Sequence, residues 1–382
     1  EFGGGGGAML LNSLARLENC RIHGNTATQG AGLYVYGGAP TLDGCLVYGN
    51  TLRQDTSGFP PRGGGVYAAD TDLTLTGCEI HDHVDSESGG GIYAANNLAT
   101  TSLDMADNAV HDNTARLKGG GLFASGATIA MKRDLFQDNG QAAGASFMNG
   151  GAFALENTAA TLDSVVARGN DADMGGGGAV SGGSSVSVRN SVFAQNTADM
   201  LGGGMTYQSA ASGEIAGCTF AANSGYLGAG GLYIAFSSPP LTNNIVASNT
   251  GGSSLANGVH VSSGAPTLSC NDVWDNAVAN YGGVADPTGL SGNISLDPKF
   301  CEAAAGNWAI DAGSPCAPAN SGGCGLIGAL AVACSATPVE DGPPAPVLVF
   351  RVEPASPNPF NPVTSIRFSL PAGSSSNFSS SC

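Results

Sequence analysis

The sequence predicts an all-β solenoid, a parallel β-helix of about ten coils with 25–27 residues in each coil. An asparagine recurs at this spacing, with an apolar residue three positions before it and a glycine cluster after it. One example is Phe193-Ala194-Gln195-Asn196 followed by Gly202-Gly203-Gly204. The segments between are short, alternating and rich in β-branched residues, as in Val186-Ser187-Val188. Such short strands, punctuated by glycine turns, favour stacked β coils over helical repeats.

The asparagine position organises each coil. It is occupied in turn by Asn25, Asn50, His83, Asn113, Asn139, Asn170, Asn196, Asn223, Asn249 and Asn276. Eight positions before it lies an apolar column that includes Leu75, Met105 and Met131. With coils about 4.8 Å apart, we expect the apolar columns to fill the interior. We expect the asparagines to form a hydrogen-bonded ladder at one turn.

The repeat units resemble those of known families. Phe136-Gln137-Asp138-Asn139 and Gly150-Gly151-Ala152-Phe153 resemble the FxxN and GGA[ILV] repeats of polymorphic outer membrane proteins. Residues 3–330 as a whole resemble pectate-lyase-like proteins, and this resemblance implies a single-stranded, right-handed β-helix. Lyases, hydrolases, epimerases, adhesins and inert stalks share that fold, so the resemblance implies no single activity.

The chain divides into four predicted regions. Residues 1–283 form the coils, and they begin in mid-register, so we expect a truncated N-terminus without its natural cap and leader. Residues 284–334 form a Cys-rich C-terminal cap whose DPxF and IDAGSP segments resemble those that close bacterial β-helices. Residues 335–346 form a Pro-rich linker. In residues 347–382 the segment Asn358–Pro362 resembles the start of a FlgD-like, type IX sorting domain, which is Ig-like. We expect this domain to be incomplete here and to end in a disordered tail.

Composition limits the partners. The net charge is −17, and only 11% of the residues are charged. An acidic surface disfavours nucleic acid and anionic membranes as partners. No apolar stretch is long enough for a transmembrane segment. We expect a secreted, outer-membrane-associated or cell-surface protein, monomeric, with a polysaccharide or cell-surface glycan as its partner.

The cysteines fall into two groups. One group shares the position five before the asparagine and consists of Cys20, Cys45, Cys78 and Cys218. We expect these to be packed free thiols. The other group follows the last coils and consists of Cys270, Cys301, Cys316, Cys324 and Cys334. We interpret it mainly as disulfides that tie down the cap, which implies an oxidising compartment. The pairing stays open.

Three insertions interrupt the period. Residues 51–62 and 140–149 leave the same corner three coils apart, and we expect them to wall a trough about 14 Å wide. The third insertion, residues 95–101, lies in a different turn.

Polar residues concentrate on the coils around this trough. Two positions before the asparagine stand His23, Tyr48, His81, His111, Gln137 and Arg168. We assign candidate catalytic roles to Asp82, His81, His111 and Asp112. We assign candidate substrate-binding roles to Tyr48, His83, Gln137, Asp138 and Arg168. We assign candidate Ca²⁺ ligation to Asp82, Asp112 and Asp138.

The chemistry behind these assignments is that of polysaccharide sites. Stacked carboxylates offer hard oxygen ligands to Ca²⁺ or an acid–base pair for a glycosidase. A histidine can act as the base of a lyase, and the ring of Tyr48 can stack on a sugar. The alternative is that Asp and His simply cap exposed turns, with His83 a tolerated substitute in the ladder.

Two functional hypotheses follow. The first is adhesion or carbohydrate binding, and the second is a polysaccharide lyase or glycoside hydrolase acting in the trough. A separate feature is an outward apolar strip on the C-terminal coils. It contains Val166, Val192, Ala194, Ala221, Ile245 and Ala247. We interpret it as a partner surface or the seat of a missing domain.

Overall fold

The computed structural model describes residues 4–53, 60–84, 86–145 and 147–334, and the two strands Arg351–Val352 and Phe368–Ser369. The chain divides into a unit Glu1–Ser335 and a unit Ala336–Cys382. In the second unit the two short strands pair antiparallel. The predicted linker and the remainder of the predicted sorting domain lie outside the described residues.

The larger unit is a parallel β-helix built on three long parallel sheets. The first sheet has eleven strands: Ala8–Ser13, Leu33–Gly38, Val66–Ala69, Ile92–Ala95, Leu122–Ser125, Phe153–Glu156, Ala179–Ser181, Met205–Gln208, Leu232–Ala235, Val259–Ser263 and Tyr281–Gly282. The second has ten strands: Arg16–Glu18, Thr41–Asp43, Asp72–Thr76, Ser102–Ala106, Thr128–Lys132, Ala159–Asp163, Ser185–Arg189, Ser212–Ala216, Leu241–Thr242 and Leu268–Ser269. The third has ten strands: Arg21–His23, Leu46–Tyr48, Glu79–His81, Ala109–His111, Leu135–Gln137, Val166–Arg168, Val192–Ala194, Thr219–Ala221, Ile245–Ala247 and Asp272–Trp274.

Shorter elements complete the described chain. Beyond the asparagine corner lie Thr26–Ala27, Thr51–Leu52, Ser86–Ser88, Thr114–Lys118, Gly140–Gln141, Asp171–Met174, Thr197–Leu201, Ser224–Gly225 and Thr250–Gly251. The cap contains the strands Phe300–Glu302, Asn307–Asp311 and Val332–Cys334 and the 3₁₀ turn Ala303–Ala305.

The predicted register of the coils is confirmed. Leu75 pairs with Met105, and Met105 pairs with Met131, in successive strands of the second sheet. All three are buried in one continuous core. Burying one such side chain stabilises the fold by about 1.5–3 kcal/mol. A slip of one residue would turn every core side chain of a strand outward, so the pattern specifies the register.

The asparagine ladder is present and buried. The Oδ1 atom of Asn196 accepts hydrogen bonds from the backbone N and the Nδ2 of Asn170, both at 3.0 Å. The Nδ2 of Asn196 donates to Oδ1 of Asn223 at 3.0 Å and to the carbonyl of Ala167 at 2.9 Å. Each asparagine thus satisfies backbone groups that the corner would otherwise leave unpaired.

The four cysteines that share this column are free, as expected, and three of them are buried. Their thiols also donate hydrogen bonds. For example, the thiol of Cys218 donates to the carbonyl of Val188 at 3.5 Å. Other coils place a polar side chain at this position, and Oδ1 of Asn108 accepts from the backbone N of Cys78 at 2.8 Å. Burial raises the pKa of the Cys78 thiol to about 11. The cysteine column is therefore part of a second polar ladder, and the buried Cys78 thiol stays protonated near neutral pH.

Two disulfides hold the C-terminal segment, and they join Cys270 to Cys324 and Cys301 to Cys334. Cys316 is free and buried. Its thiol donates to Oδ2 of Asp272 at 3.0 Å. Burial raises the pKa of the Asp272 carboxyl to about 6.

The cap covers the apolar strip on the outside of the third sheet. Trp308 packs with Val192, Ala194 and Ala221. Ile310 and Ile327 pack with Ile245 and Ala247 in a neighbouring cluster. The interpretation of this strip as a partner surface or the seat of a missing domain is therefore wrong, since the chain itself occupies it. The cap packs on the C-terminal coils of the third sheet, and the N-terminal coils carry the polar residues.

Candidate functional site

The outer face of the third sheet carries one continuous row of polar side chains on its N-terminal coils. This polar row consists of His23, Tyr48, His81, His111, Gln137 and Arg168, which pair in register from strand to strand. The first four rings are stacked, with centroid separations of 4.6, 5.3 and 4.7 Å. Parallel strands in register place identical positions one above another, and this produces the stack.

The stacking changes what the rings can offer to a ligand. His23 and His81 cover the two faces of the Tyr48 ring. A sugar cannot therefore stack on Tyr48 as the sequence suggested, and the row presents its edges instead. The row continues with Arg168, whose Nε donates to Oε1 of Gln137 at 2.9 Å.

The three aspartates of the predicted site occupy one demanding turn position. Asp82, Asp112 and Asp138 have φ values of 57°, 53° and 51°. Aspartate tolerates this left-handed conformation better than most residues, and Gly24 and Gly49 occupy the same position in the first coils, also with positive φ. The backbone alone therefore accounts for part of the aspartate column.

The aspartate side chains hold the polar row. Oδ2 of Asp82 lies 2.8 Å from Nδ1 of His81, and Oδ2 of Asp112 lies 2.7 Å from Nδ1 of His111. Oδ2 of Asp138 accepts from Nε2 of the neighbouring glutamine at 2.7 Å. Each carboxylate thus orients the row side chain of its own coil.

A further carboxylate, Glu79, completes a cluster that the sequence analysis missed. Its Oε1 lies 3.1 Å from Nε2 of His111. One ligand atom each from Glu79, His81 and His111 lie within 4.8 Å of one another. Among the described residues, Asp82, Asp112 and Asp138 do not come together in this way.

The charges around His111 affect its titration. Burial alone would lower its pKa, but hydrogen bonds to Asp112 and Glu79 outweigh burial and raise the pKa. This group therefore stabilises the fold most at low pH, and the contribution is lost as the pH rises through its folded pKa.

The structure places His83 inside the wall of the β-helix. Its side chain is fully buried, with Nε2 3.1 Å from Nδ2 of Asn50 and Nδ1 2.8 Å from Oδ1 of Asn113. These partners require a neutral ring that accepts at Nε2 and donates at Nδ1. Burial lowers the pKa of His83 to about 4. His83 thus replaces an asparagine in the ladder and lies apart from the polar row.

The two corner loops, residues 51–62 and 140–149, form their described hydrogen bonds with residues outside the polar row. Arg62, at the end of the first loop, donates to the Tyr93 hydroxyl at 3.0 Å and lies over its ring on the first sheet. In the second loop, Gln141 and the backbone N of Met148 donate to the carboxylate of Asp173. Residues 54–59 lie outside the described part, and the trough stays a prediction.

The sequence contains a signal that Glu79 belongs to this cluster. It lies two positions before His81 on one strand, and alternate residues of a strand share a face. The register then brings His111 beside both residues. Glu79 belongs to the column next to that of the histidines, so the repeat of a single column does not connect it with them.

Comparison with known proteins gives one family. No curated protein and no solved structure gave a significant match to the chain. Among the described residues, no helix has the length and apolar character that a membrane crossing requires. A family model described as a right-handed beta helix region matches residues 1–160 and 144–294. Together these matches span well over half of the chain, which therefore belongs to the right-handed β-helix family.

Proposed function

We propose that this protein binds a polysaccharide along the polar row, as an extracellular adhesion or carbohydrate-binding protein. The observation that carries the proposal is the regular row itself, with hydrogen-bonding groups repeated at ring separations of 4.6–5.3 Å. A polymer of sugars presents hydroxyl groups at regular intervals, so one periodic surface can bind many units with the same type of contact.

The charges favour a neutral polysaccharide. Asp82 and Asp112 flank the row with side chains that are 64% and 55% exposed. Such carboxylates accept hydrogen bonds from sugar hydroxyls and repel a polyanion. A uronate polymer would need a cation to offset them, and in that case its binding would depend on Ca²⁺.

Two features support an extracellular location. The disulfides Cys270–Cys324 and Cys301–Cys334 are typical of an oxidising compartment. The net charge of −17 favours solubility over adsorption to anionic surfaces. We expect the protein to act there as a single chain.

Removing one polar edge from the row tests the proposal. Tyr48→Phe keeps the ring stack and removes only the hydroxyl group. We expect the affinity for a neutral polysaccharide to fall roughly fivefold, which corresponds to the loss of one hydrogen bond. Affinity electrophoresis against neutral and acidic polysaccharides measures the change.

Tyr226→Phe is the matched control, because Tyr226 is 75% exposed and lies outside the row. This variant should bind as the original chain does. Equal losses in both variants, or no binding to any polysaccharide in the panel, would contradict the proposal.

A second candidate function is polysaccharide cleavage, and the two histidine–aspartate pairs favour it. An aspartate on Nδ1 fixes the tautomer and the orientation of the imidazole and leaves Nε2 as the proton acceptor, as a general base requires. His81 with Asp82 and His111 with Asp112 have this arrangement.

Cleavage is tested by incubating the protein with polyuronates and neutral polysaccharides, then measuring reducing ends and unsaturated products. If a pair is catalytic, Asp112→Asn should lower the rate by about 10²–10⁴-fold. Activity that survives in both Asp82→Ala and Asp112→Asn would exclude these pairs as the catalytic groups.

A further inference from the structure

We propose that Glu79, His81 and His111 form a binding site for a divalent transition metal ion of the Zn²⁺ type. The site lies on the outer face of the third sheet, where Glu79 and His81 share one strand and His111 pairs with His81 on the next. It does not depend on the glycan proposal, because the metal ion alone is the ligand.

The three donors already face one another. One ligand atom from each residue lies within 4.8 Å of the others, and Nε2 of His111 is 3.1 Å from Oε1 of Glu79. The two imidazole rings are stacked with an interplanar angle of 6°. Since both Nδ1 atoms face an aspartate, the Nε2 atoms are left as the metal ligands. Nε2 of His111 already lies against Glu79, and a bound ion would replace the proton of that hydrogen bond.

The aspartates supply the outer contacts that such a site requires. A histidine that binds a metal through Nε2 commonly donates its Nδ1–H to a carboxylate, which fixes the tautomer and the ring orientation. Asp82 and Asp112 stand in this position at 2.8 and 2.7 Å. Asp82 and Asp112, two of the three residues assigned from sequence as Ca²⁺ ligands, therefore act here as positioning residues.

The donor set selects the metal. Two imidazole nitrogens and one carboxylate oxygen match a three-ligand zinc site with one open position. Ca²⁺ prefers six to eight oxygen ligands, and this cluster supplies one carboxylate. Bound Zn²⁺ would keep a fourth position for water or a ligand hydroxyl, since the His81 and His111 side chains are 17% and 23% exposed.

Binding requires a small movement. Zn–N bonds of about 2.1 Å in a tetrahedral site place donors about 3.4 Å apart. The two parallel rings must therefore tilt toward each other. The side chains concerned are partly exposed, and the sheet backbone beneath them can remain in place.

Titration of the metal-free chain, residues 1–382, with ZnCl₂ tests the site, and isothermal titration calorimetry measures the binding. A parallel titration with Co²⁺ reports imidazole ligation through visible absorption. We expect one ion per chain. His81→Asn and His111→Asn should each abolish binding and the Co²⁺ spectrum, and Asp112→Asn should weaken binding about 10- to 100-fold.

His23→Asn is the matched control, because His23 lies in the same row but outside the cluster. The chain has five histidines, so each one can be tested singly. Binding retained by His23→Asn and lost in the cluster variants supports the site. Undiminished binding in the double variant His81→Asn/His111→Asn, or no binding by the original chain, would overturn it. Glycan binding is measured separately with metal chelated, so the two proposals can fail independently.

Discussion

Replacing Asn196 with alanine is expected to destabilise the protein by about 3–5 kcal/mol. The side chain is fully buried and makes four ladder hydrogen bonds. Its loss leaves the backbone N of Asn170 and the carbonyl of Ala167 without these partners, and each buried polar group left unsatisfied costs about 1–3 kcal/mol. Chemical denaturation measures the total change.

Hydrogen exchange adds a local readout for the same variant. The amide of Asn170 should exchange faster in Asn196→Ala, because its acceptor is removed. Asn190→Gly is the control, since Asn190 lies on an exposed turn with positive φ and glycine occupies that position in other coils, for example Gly217. The control should change stability by about 0.5 kcal/mol or less. Similar losses in both variants would refute the energetic role of the ladder.

The repeat explains why so much of the fold was predictable. Period, apolar columns and ladder positions are each repeated about ten times, so the register of Leu75 on Met105 rests on many consistent observations. Two-residue alternation then assigns each side chain to the core or to solvent. The buried free cysteines followed from the same reasoning, because Cys45 and Cys78 share the position five before the asparagine.

The site was only partly predictable, because a shared column identifies neighbours and not their orientation. It placed Tyr48 beside His81 but could not show that the ring faces cover each other. It stacked Asp82 near Asp112 but could not show that each carboxylate turns to its own histidine.

The position of the cap was unpredictable for a different reason. Trp308 follows the last coils in sequence yet packs on Val192, more than a hundred residues earlier. No repeat links these two segments, and nothing periodic in the sequence specifies where an irregular segment folds back. Only the outward apolar strip indicated that something must cover the sheet.

The ladder position His83 gives the second large prediction, a pH dependence that asparagine removes. The pKa of His83 is lowered to about 4 by burial, against an ordinary value of 6.5. Between these two pH values the unfolded chain takes up a proton that the folded chain excludes. The contribution of His83 to the free energy of unfolding is therefore fully present above about pH 6.5. It is lost as the pH falls toward 4, and the loss amounts to about 3 kcal/mol.

His83→Asn should remove this component, because asparagine can bond to Asn50 and Asn113 without titrating. Other shifted groups, such as Asp134 with its pKa raised to about 6 by burial, are present in both proteins and cancel in the comparison. Denaturation curves measured from pH 7.5 to pH 4 give the free energy of unfolding of both proteins. We expect the difference between the variant and the original chain to change by about 3 kcal/mol in favour of the variant over this pH range. His23→Asn, at an exposed histidine, should follow the original chain. Parallel pH profiles for the original chain and His83→Asn would mean that the imidazole takes up its proton in the folded state, and that the ladder at this coil opens to admit the charge.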